Sequence, residues 1–249
     1  MYQIQGLSFR EYLKMFHDID VPVYSLSEIL NHEVKVSPDF HPLPYFREYL
    51  RKGYFPFSSL PGYEIRLQQI ISHTIEVDIP QFCGMNLSTA KKLKRMLGIV
   101  SLSVPYKPNM KALATEIGVS KNDIPEYLVY LEMAGMLGLL RDDTGGFRGL
   151  GKVEKVYLDN PNLMYALSGE DANIGTIRET FFYNQMRVKH DVTSSRITDF
   201  RIGDNIFEIG GEKKGTKQLQ GEAGGFVVRD DIEYGFKQII PLWHFGLTY

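Results

Sequence analysis

Apolar side chains in the first hundred residues recur at helical spacing. After Ser8, a residue type that caps helices, the recurring apolar positions are Phe9, Tyr12, Leu13 and Phe16. Amphipathic stretches return at Tyr45–Lys52 and at Ile65–Val77, and a basic run with two leucines on one face covers Ala90–Leu97. This pattern predicts a mainly helical region over residues 1–98.

The next segment combines two short amphipathic helices with a β-hairpin. The apolar positions of the first helix lie at i, i+3, i+4 and i+7: Met110, Leu113, Ala114 and Ile117. Gly118 interrupts this helix, and Ser120 provides a cap-like start for a second one. Strand-like runs at Met136–Leu140 and Val153–Leu158 then flank a glycine-rich loop. Two helices joined by a tight turn and followed by a hairpin predict a winged helix over residues 99–160.

The remaining residues alternate between helical and strand-like patterns. A helix is predicted over Thr176–Val188, short alternating strands follow, and Ile239–Trp243 is the last predicted strand. The chain is therefore expected to be an α+β multidomain protein. Its predicted parts are a helical region (1–98), a winged helix (99–160) and a small mixed-sheet domain (161–249).

Two acidic residues flank a predicted hairpin turn in the last part. Gly203-Asp204 is a favourable two-residue turn. The residues that this turn places opposite one another are Ile202 and Asn205, Phe200 and Phe207, and Asp199 and Glu208. Because facing carboxylates repel, a cation, a shared proton or a basic neighbour must offset the charge of Asp199 and Glu208. Two interpretations stay open: a metal site suited to Mg²⁺, and a surface cluster in which Arg201 supplies the positive charge.

Composition narrows the setting and the partners. The net charge of −2 and the pI near 6.3 provide no global field for capturing nucleic acid, so such a role needs a local basic patch. Cys83 is the single cysteine, which excludes an internal disulfide and favours a reducing compartment. No apolar run reaches the roughly 20 residues of a membrane helix, so a cytoplasmic protein without a membrane partner is expected.

One segment imitates a phosphate-binding loop. Gly146–Lys152 satisfies the first seven positions of G-x-x-x-x-G-K-[ST], but Val153 occupies the position of the required hydroxyl. The segment also leads into a strand-like run, whereas a phosphate loop opens a helix. A wing loop that does not bind ATP is therefore predicted.

Several short segments follow one another in an order that carries a family resemblance. They are Gly6–Leu13, Phe46–Leu50 with Gly53–Pro56, Tyr127–Met136, Lys155–Asn160, Gly175–Phe182, Asp199-Phe200, Phe207–Gly211 and Ile240–Trp243. In this order they resemble the C-terminal region of a family of prokaryotic AAA-type ATPases. In that family a winged helix and a domain related to PD-(D/E)xK nucleases follow the ATPase core.

The resemblance implies that the ATPase core is missing and that the nuclease-like site is degenerate. The phosphate loop and the acidic magnesium motif of the ATPase are missing, so ATP would be bound only through a separate ATPase core, and residues 1–98 would be a lid-like remnant. Glu179, Asp199 and Glu208 match the acidic catalytic residues of the nuclease-like superfamily, which use Mg²⁺. The lysine position is Gly210, and a lysine from the following loop, Lys213 or Lys214, is expected to be poorly held.

The resulting main hypothesis is an accessory region that engages nucleic acid or a partner protein, such as the missing ATPase core, and that hydrolyses no ATP alone. The alternatives are a metal-dependent nuclease and a stand-alone winged-helix DNA-binding regulator. Candidate phosphate-contacting residues are Lys121, Asn122, Arg141 and Arg148. Acidic residues outnumber basic ones between Ser120 and Met133, which favours packing against protein over contact with DNA.

Overall fold

The computed structural model describes residues 5–107, 109–143, 152–216, 219 and 224–249, with only the backbone at Leu87 and Glu170. The chain forms two compact units, one comprising residues 1–58 and 173–249 and the other residues 59–172. This grouping divides the predicted helical region between both units. The boundary predicted after residue 98 lies inside a helix.

The chain contains both helices and strands, which confirms the predicted mixture of α and β structure. The helices in the described ranges are α1 (Phe9–His17), α2 (Leu26–Leu30), α3 (Pro42–Lys52), α4 (Tyr63–His73), α5 (Ile79–Cys83), α6 (Leu87–Ser101), α7 (Met110–Ile117), α8 (Ile124–Met133), α9 (Pro161–Ser168) and α10 (Ile174–Met186). The strands are β1 (Leu137–Arg141), β2 (Val153–Leu158), β3 (Val192–Ser194), β4 (Phe200–Ile202), β5 (Asn205–Gly210), β6 (Gly225–Arg229) and β7 (Ile239–Pro241). A π-helical turn (Thr74–Asp78) joins α4 to α5, and a 3₁₀ helix covers Leu242–Leu247.

The unit of residues 1–58 and 173–249 contains strands in the order β3-β4-β5-β6-β7. Strands β3, β4 and β5 are antiparallel neighbours, whereas β6 and β7 run parallel to β5. Two of the three predicted hairpin pairs are confirmed: Phe200 pairs with Phe207, and Ile202 pairs with Asn205. Gly203 adopts a φ of 57°, the left-handed conformation that such a turn requires.

Helix α10 is apolar on more than one side because it is packed from more than one direction. Phe182 lies 5.2 Å from Phe200 and 5.1 Å from Phe207, measured between ring centroids, and so packs onto the sheet. Phe181 lies 4.8 Å from Phe46 of α3. A helix buried this completely lacks a polar stripe, and its sequence shows only weak amphipathicity.

The N-terminal helix is capped as the sequence predicts. The backbone N–H of Glu11 donates to the Ser8 hydroxyl at 3.2 Å, and the backbone N–H of Ser8 donates to the Glu11 carboxylate at 2.9 Å. This reciprocal capping box satisfies two N–H groups that have no partner within the helix. The Ser8 hydroxyl also donates to the backbone carbonyl of Tyr249 at 2.8 Å, which ties α1 to the end of the same unit.

In the unit of residues 59–172, the elements from α6 to β2 follow the predicted pattern. Helix α7 ends at Gly118, whose φ is 73°, and α8 begins after a 3₁₀ turn at Lys121–Asp123. Strands β1 and β2 pair antiparallel, with Leu139 opposite Val156. Tyr106 exchanges two backbone hydrogen bonds with Val156, at 2.9 and 2.8 Å, and adds a short third segment beside the hairpin.

A titratable ring is buried in the 3₁₀ helix near residue 244. The His244 side chain is only 6% exposed. Burial lowers its pKa to about 3, with a smaller contribution from the nearby positive charge of His32. The folded protein therefore holds this imidazole neutral at pH values where the unfolded chain binds a proton.

This difference predicts an acid-labile contribution to stability. Because the folded-state pKa lies below the usual value near 6.5, the free energy of unfolding falls as the pH decreases below about 6.5. The slope from this residue is at most about 1.4 kcal/mol per pH unit, or about 2 kcal/mol between pH 6.5 and 5. Urea unfolding of the wild type and of His244→Gln at both pH values measures it. A wild-type loss that persists undiminished in His244→Gln would contradict this assignment.

Candidate carboxylate site

Asp199 and Glu208 lie on neighbouring β-segments, as the hairpin predicts. Asp199 directly precedes β4, and its backbone N–H donates to the carbonyl of Phe207 at 3.1 Å. Its carboxylate accepts a hydrogen bond from the backbone N–H of Ile209 at 2.9 Å. The Asp199 carboxylate therefore binds the backbone of β5 at Ile209, the residue that follows Glu208.

Glu208 carries its charge into the interior of the sheet. The residue lies on β5 between β4 and β6, opposite Val227 in the parallel register, and is 5% exposed. A buried carboxylate is strongly unfavourable unless it is paired. The Lys214 ammonium forms an ion pair with Glu208 Oε1, so the compensating charge comes from the chain itself.

Gly210 allows Lys214 to reach this position. A Cβ atom on Gly210 would lie 2.6 Å from both Cβ and Cγ of Lys214, so the lysine stem occupies the space of the absent side chain. Lys214 is fixed by its own backbone: its N–H donates to Gly211 at 2.9 Å, and its carbonyl accepts from Arg229 Nε at 2.9 Å. The expectation that a loop lysine would be poorly held is wrong for Lys214. The absence of a side chain at Gly210 leaves room for the stem of Lys214.

A second ion pair, not predicted from the sequence, lies at the carboxyl ends of β5 and β6. Arg178 Nε contacts Asp230 at 2.8 Å, and its Nη2 contacts Asp231 at 3.2 Å. The backbone N–H of Asp230 donates to the carbonyl of Gly210 at 2.9 Å, which links this pair to the end of β5. The sequence signal was a lone arginine in the largely apolar helix α10, because a charge on such a helix requires a buried partner.

Glu179 follows Arg178 on α10 and is half-buried. In the part of the chain that the structure describes, no three or more His, Cys, Asp or Glu side chains converge in a way that could hold a metal ion. Glu179, Asp199 and Glu208 are included in that part. Asp199 and Glu208 are thus neighbours, but they do not form a three-carboxylate cluster with Glu179. One of the two carboxylate oxygens of Glu208, Oε1, is in contact with the Lys214 ammonium.

The predicted phosphate-contacting residues have different surroundings. Lys121 and Asn122 are exposed on the turn before α8. Arg141, at the end of β1, is engaged by both oxygens of Glu132, at 3.1 and 2.8 Å. Arg148 lies outside the described residues. Of the two predicted arginines, the one that the structure describes therefore already pairs with a carboxylate.

The outward face of α8 is apolar and acidic. Val129 is 39% exposed and Met133 is 63% exposed, and Glu126 lies on the same exposed side. The Tyr130 hydroxyl donates to the Glu126 carboxylate, and this hydrogen bond raises the pKa of Tyr130 to about 12. The proton therefore stays on the Tyr130 hydroxyl at neutral pH.

Comparison with known proteins identifies a family but no function. Residues 43–173, just over half of the chain, match the family described as Domain of unknown function (DUF8612), and the chain belongs to this family. No curated protein and no solved structure matches the chain. Among the helices that the structure describes, none has the length and apolar character needed to cross a membrane.

The contact between Gly210 and Lys214 generates a stability prediction. Gly210→Ala places a methyl group against the lysine stem and should lower the free energy of unfolding by about 1–3 kcal/mol, the usual cost of overpacking. Gly215→Ala is the matched control, because a Cβ atom there meets no atom within 4 Å. Urea unfolding of both variants is the measurement. Equal stabilities of the two variants would show that Lys214 does not occupy the space over Gly210.

Proposed function

We propose that the chain is a non-catalytic accessory region of an AAA-type ATPase system and that it binds a partner protein through α8. The proposal combines the ordered resemblance to the C-terminal region of such ATPases with the surface chemistry of α8. In this proposal ATP is bound and hydrolysed by a separate ATPase core, which is also the expected partner.

The arrangement around α8 supports the winged-helix interpretation. Three helices, α6 to α8, precede the β1–β2 hairpin, and the Tyr106 segment pairs with β2 as a third short strand. In a DNA-binding winged helix, the second helix of the helix-turn-helix presents polar and cationic side chains to the major groove. Helix α8 occupies that place in the chain order.

The exposed side of α8 is the observation that carries the choice of a protein partner. Met133 and Val129 offer apolar surface there, and Glu126 adds a negative charge. Such a face is unfavourable for binding a polyanion, because it lacks cations that would neutralise phosphates. Exposed apolar residues beside polar ones are instead typical of protein-binding surfaces. The ion pair of Arg141 with Glu132 also withdraws one cation from phosphate contact.

A metal-dependent nuclease is the second candidate, and one observation favours it. The Lys214 ammonium pairs with Glu208, and Asp199 accepts a hydrogen bond from the backbone N–H of the next residue, Ile209, so a lysine lies close to two of the acidic residues that the resemblance names. The antiparallel β3–β5 strands followed by the parallel β6 also suit the nuclease-like interpretation. Any Mg²⁺ that used this Glu208 oxygen would have to displace the ammonium. For that reason the accessory role is preferred.

The main proposal is tested by measuring binding of the chain to a separately produced ATPase core from the AAA-type family that it resembles. We expect saturable binding by calorimetry that Met133→Glu weakens at least about tenfold, because a charge placed in an apolar interface is left without a partner. Ile65→Glu is the matched control, since Ile65 is similarly exposed on another helix of the same unit. An absence of binding, or equal effects of the two variants, would contradict a role of α8 as the docking face.

The same proteins incubated with labelled duplex DNA separate the alternatives. We expect no tight binding at low salt and no cleavage with Mn²⁺. Salt-dependent binding that Lys121→Ala weakens would support a DNA-binding regulator instead. Cleavage that Asp199→Asn abolishes would support the nuclease.

A further inference from the structure

A partly enclosed cavity of about 100 Å³ lies in the unit of residues 1–58 and 173–249. Val34 and Val36, which follow α2, form an apolar side. Trp243 and His244 contribute from the 3₁₀ helix, and Glu233 from the segment between β6 and β7. Neither Asp199 nor Glu208 lines the cavity, so it is distinct from the carboxylate pair.

The backbone around the cavity is held in conformations that side-chain-bearing residues rarely adopt. His32 has a φ of 59° and Lys237 a φ of 53°, both in the left-handed region. The two are joined directly, because the Nε2–H of His32 donates to the carbonyl of Lys237 at 2.8 Å. Gly235 packs so tightly that a Cβ atom there would collide with the carbonyl of Ile239. Unfavourable backbone conformations fixed by their surroundings cluster at ligand sites.

The wall contains one carboxylate, two aromatic side chains and the imidazoles of His32 and His244. The Glu233 side chain is 24% exposed, and His41 Nδ1 approaches its carboxylate at 3.2 Å from an exposed position. Trp243 and the exposed ring of Tyr234 provide aromatic surface. His244 Nδ1 is buried without a hydrogen-bond partner among the described residues, and its neutral ring adds no positive charge to the wall.

These features indicate the charge and size of an occupant. Aromatic faces attract organic cations, and a nearby carboxylate adds a charge-assisted hydrogen bond. A volume of about 100 Å³ corresponds to about three water molecules, or to a compact group of about four or five non-hydrogen atoms. A neutral amide of the same size could accept the unpaired Trp243 N–H, but it would not balance the charge of Glu233.

We propose that this cavity binds a compact organic cation, a guanidinium or alkylammonium group, that pairs with Glu233 and lies against Trp243 and Tyr234. The group is either a free small molecule or the end of a side chain carried by a peptide. The inference does not depend on α8 or on the ATPase, because every residue that carries it belongs to the other unit.

The fluorescence of Trp243 tests this directly, since Trp243 is the only tryptophan of the chain. Methylguanidinium chloride is titrated at constant ionic strength, with N-methylurea as the neutral probe of the same shape. We expect a saturable fluorescence change with methylguanidinium and an affinity for N-methylurea at least about tenfold weaker. An absence of saturation, or equal affinities for the two probes, would overturn the proposal.

Variants locate the site and exclude misfolding. Glu233→Gln should weaken binding at least about tenfold, whereas Glu212→Gln, at an exposed position of the same unit, should leave it unchanged. If Glu233→Gln unfolds, Tyr234→Ala serves instead, because this exposed ring can be removed at little cost and its loss should still weaken binding. Unchanged affinity in the folded variants would refute the assignment.

Peptide probes distinguish the two sources of the cation. A blocked tripeptide with a central arginine is compared with its alanine counterpart and with methylguanidinium. Tighter binding of the arginine peptide would assign a protein-borne group, and weaker binding would assign a free small molecule. Equal binding of the arginine and alanine peptides would count against a cation site. Met133→Glu should change none of these affinities, which keeps this test separate from that of the α8 surface.

Discussion

The structure of the unit that contains β5 depends on how one buried carboxylate is neutralised. Glu208 lies inside the sheet, and an unpaired charge there would cost several kcal/mol. The chain supplies Lys214, whose stem crosses the bare Cα of Gly210. Glu208, Gly210 and Lys214 therefore act together, because a side chain at position 210 would collide with the stem of the lysine that pairs with Glu208.

This pairing also shapes the functional interpretation. Ligands usually bind at the carboxyl ends of parallel strands, and β5 and β6 are parallel neighbours. Near these carboxyl ends the protein forms two internal ion pairs, Glu208 with Lys214 and Arg178 with Asp230. Charges that satisfy one another within the protein have less capacity left for a metal ion or a phosphate. The accessory role proposed above rests partly on this internal pairing of charges and partly on the apolar face of α8.

Local patterns in the sequence were sufficient for local structure. The two-residue turn at Gly203-Asp204 fixes the hairpin register, because shifting a strand by one residue would turn Phe200 and Phe207 out of the core. The helices ending at Ile117 and Met133 follow from apolar periodicity in the same way.

Long-range relationships could not be predicted. The packing of residues 1–58 with 173–249 joins segments more than a hundred residues apart, and periodicity carries no information about such contacts. The ion pair between Arg141 and Glu132 depends on how the strand folds back beside α8. The position of Lys214 depends on the path of a loop after two glycines, which no spacing rule specifies. The cavity is formed by residues from 32–36 and from 233–244, two regions that are distant in the sequence and that only the fold brings together.

A double-mutant cycle measures the central interaction most directly. The free energies of unfolding are determined for Glu208→Gln, Lys214→Met and the double variant by urea denaturation at neutral pH. If Lys214 neutralises Glu208, Lys214→Met alone should be destabilising, and the double variant should be less destabilised than the sum of the single variants by at least about 1 kcal/mol. Additivity within about 0.5 kcal/mol would show that the two residues do not interact, and the account built on their pairing would be wrong.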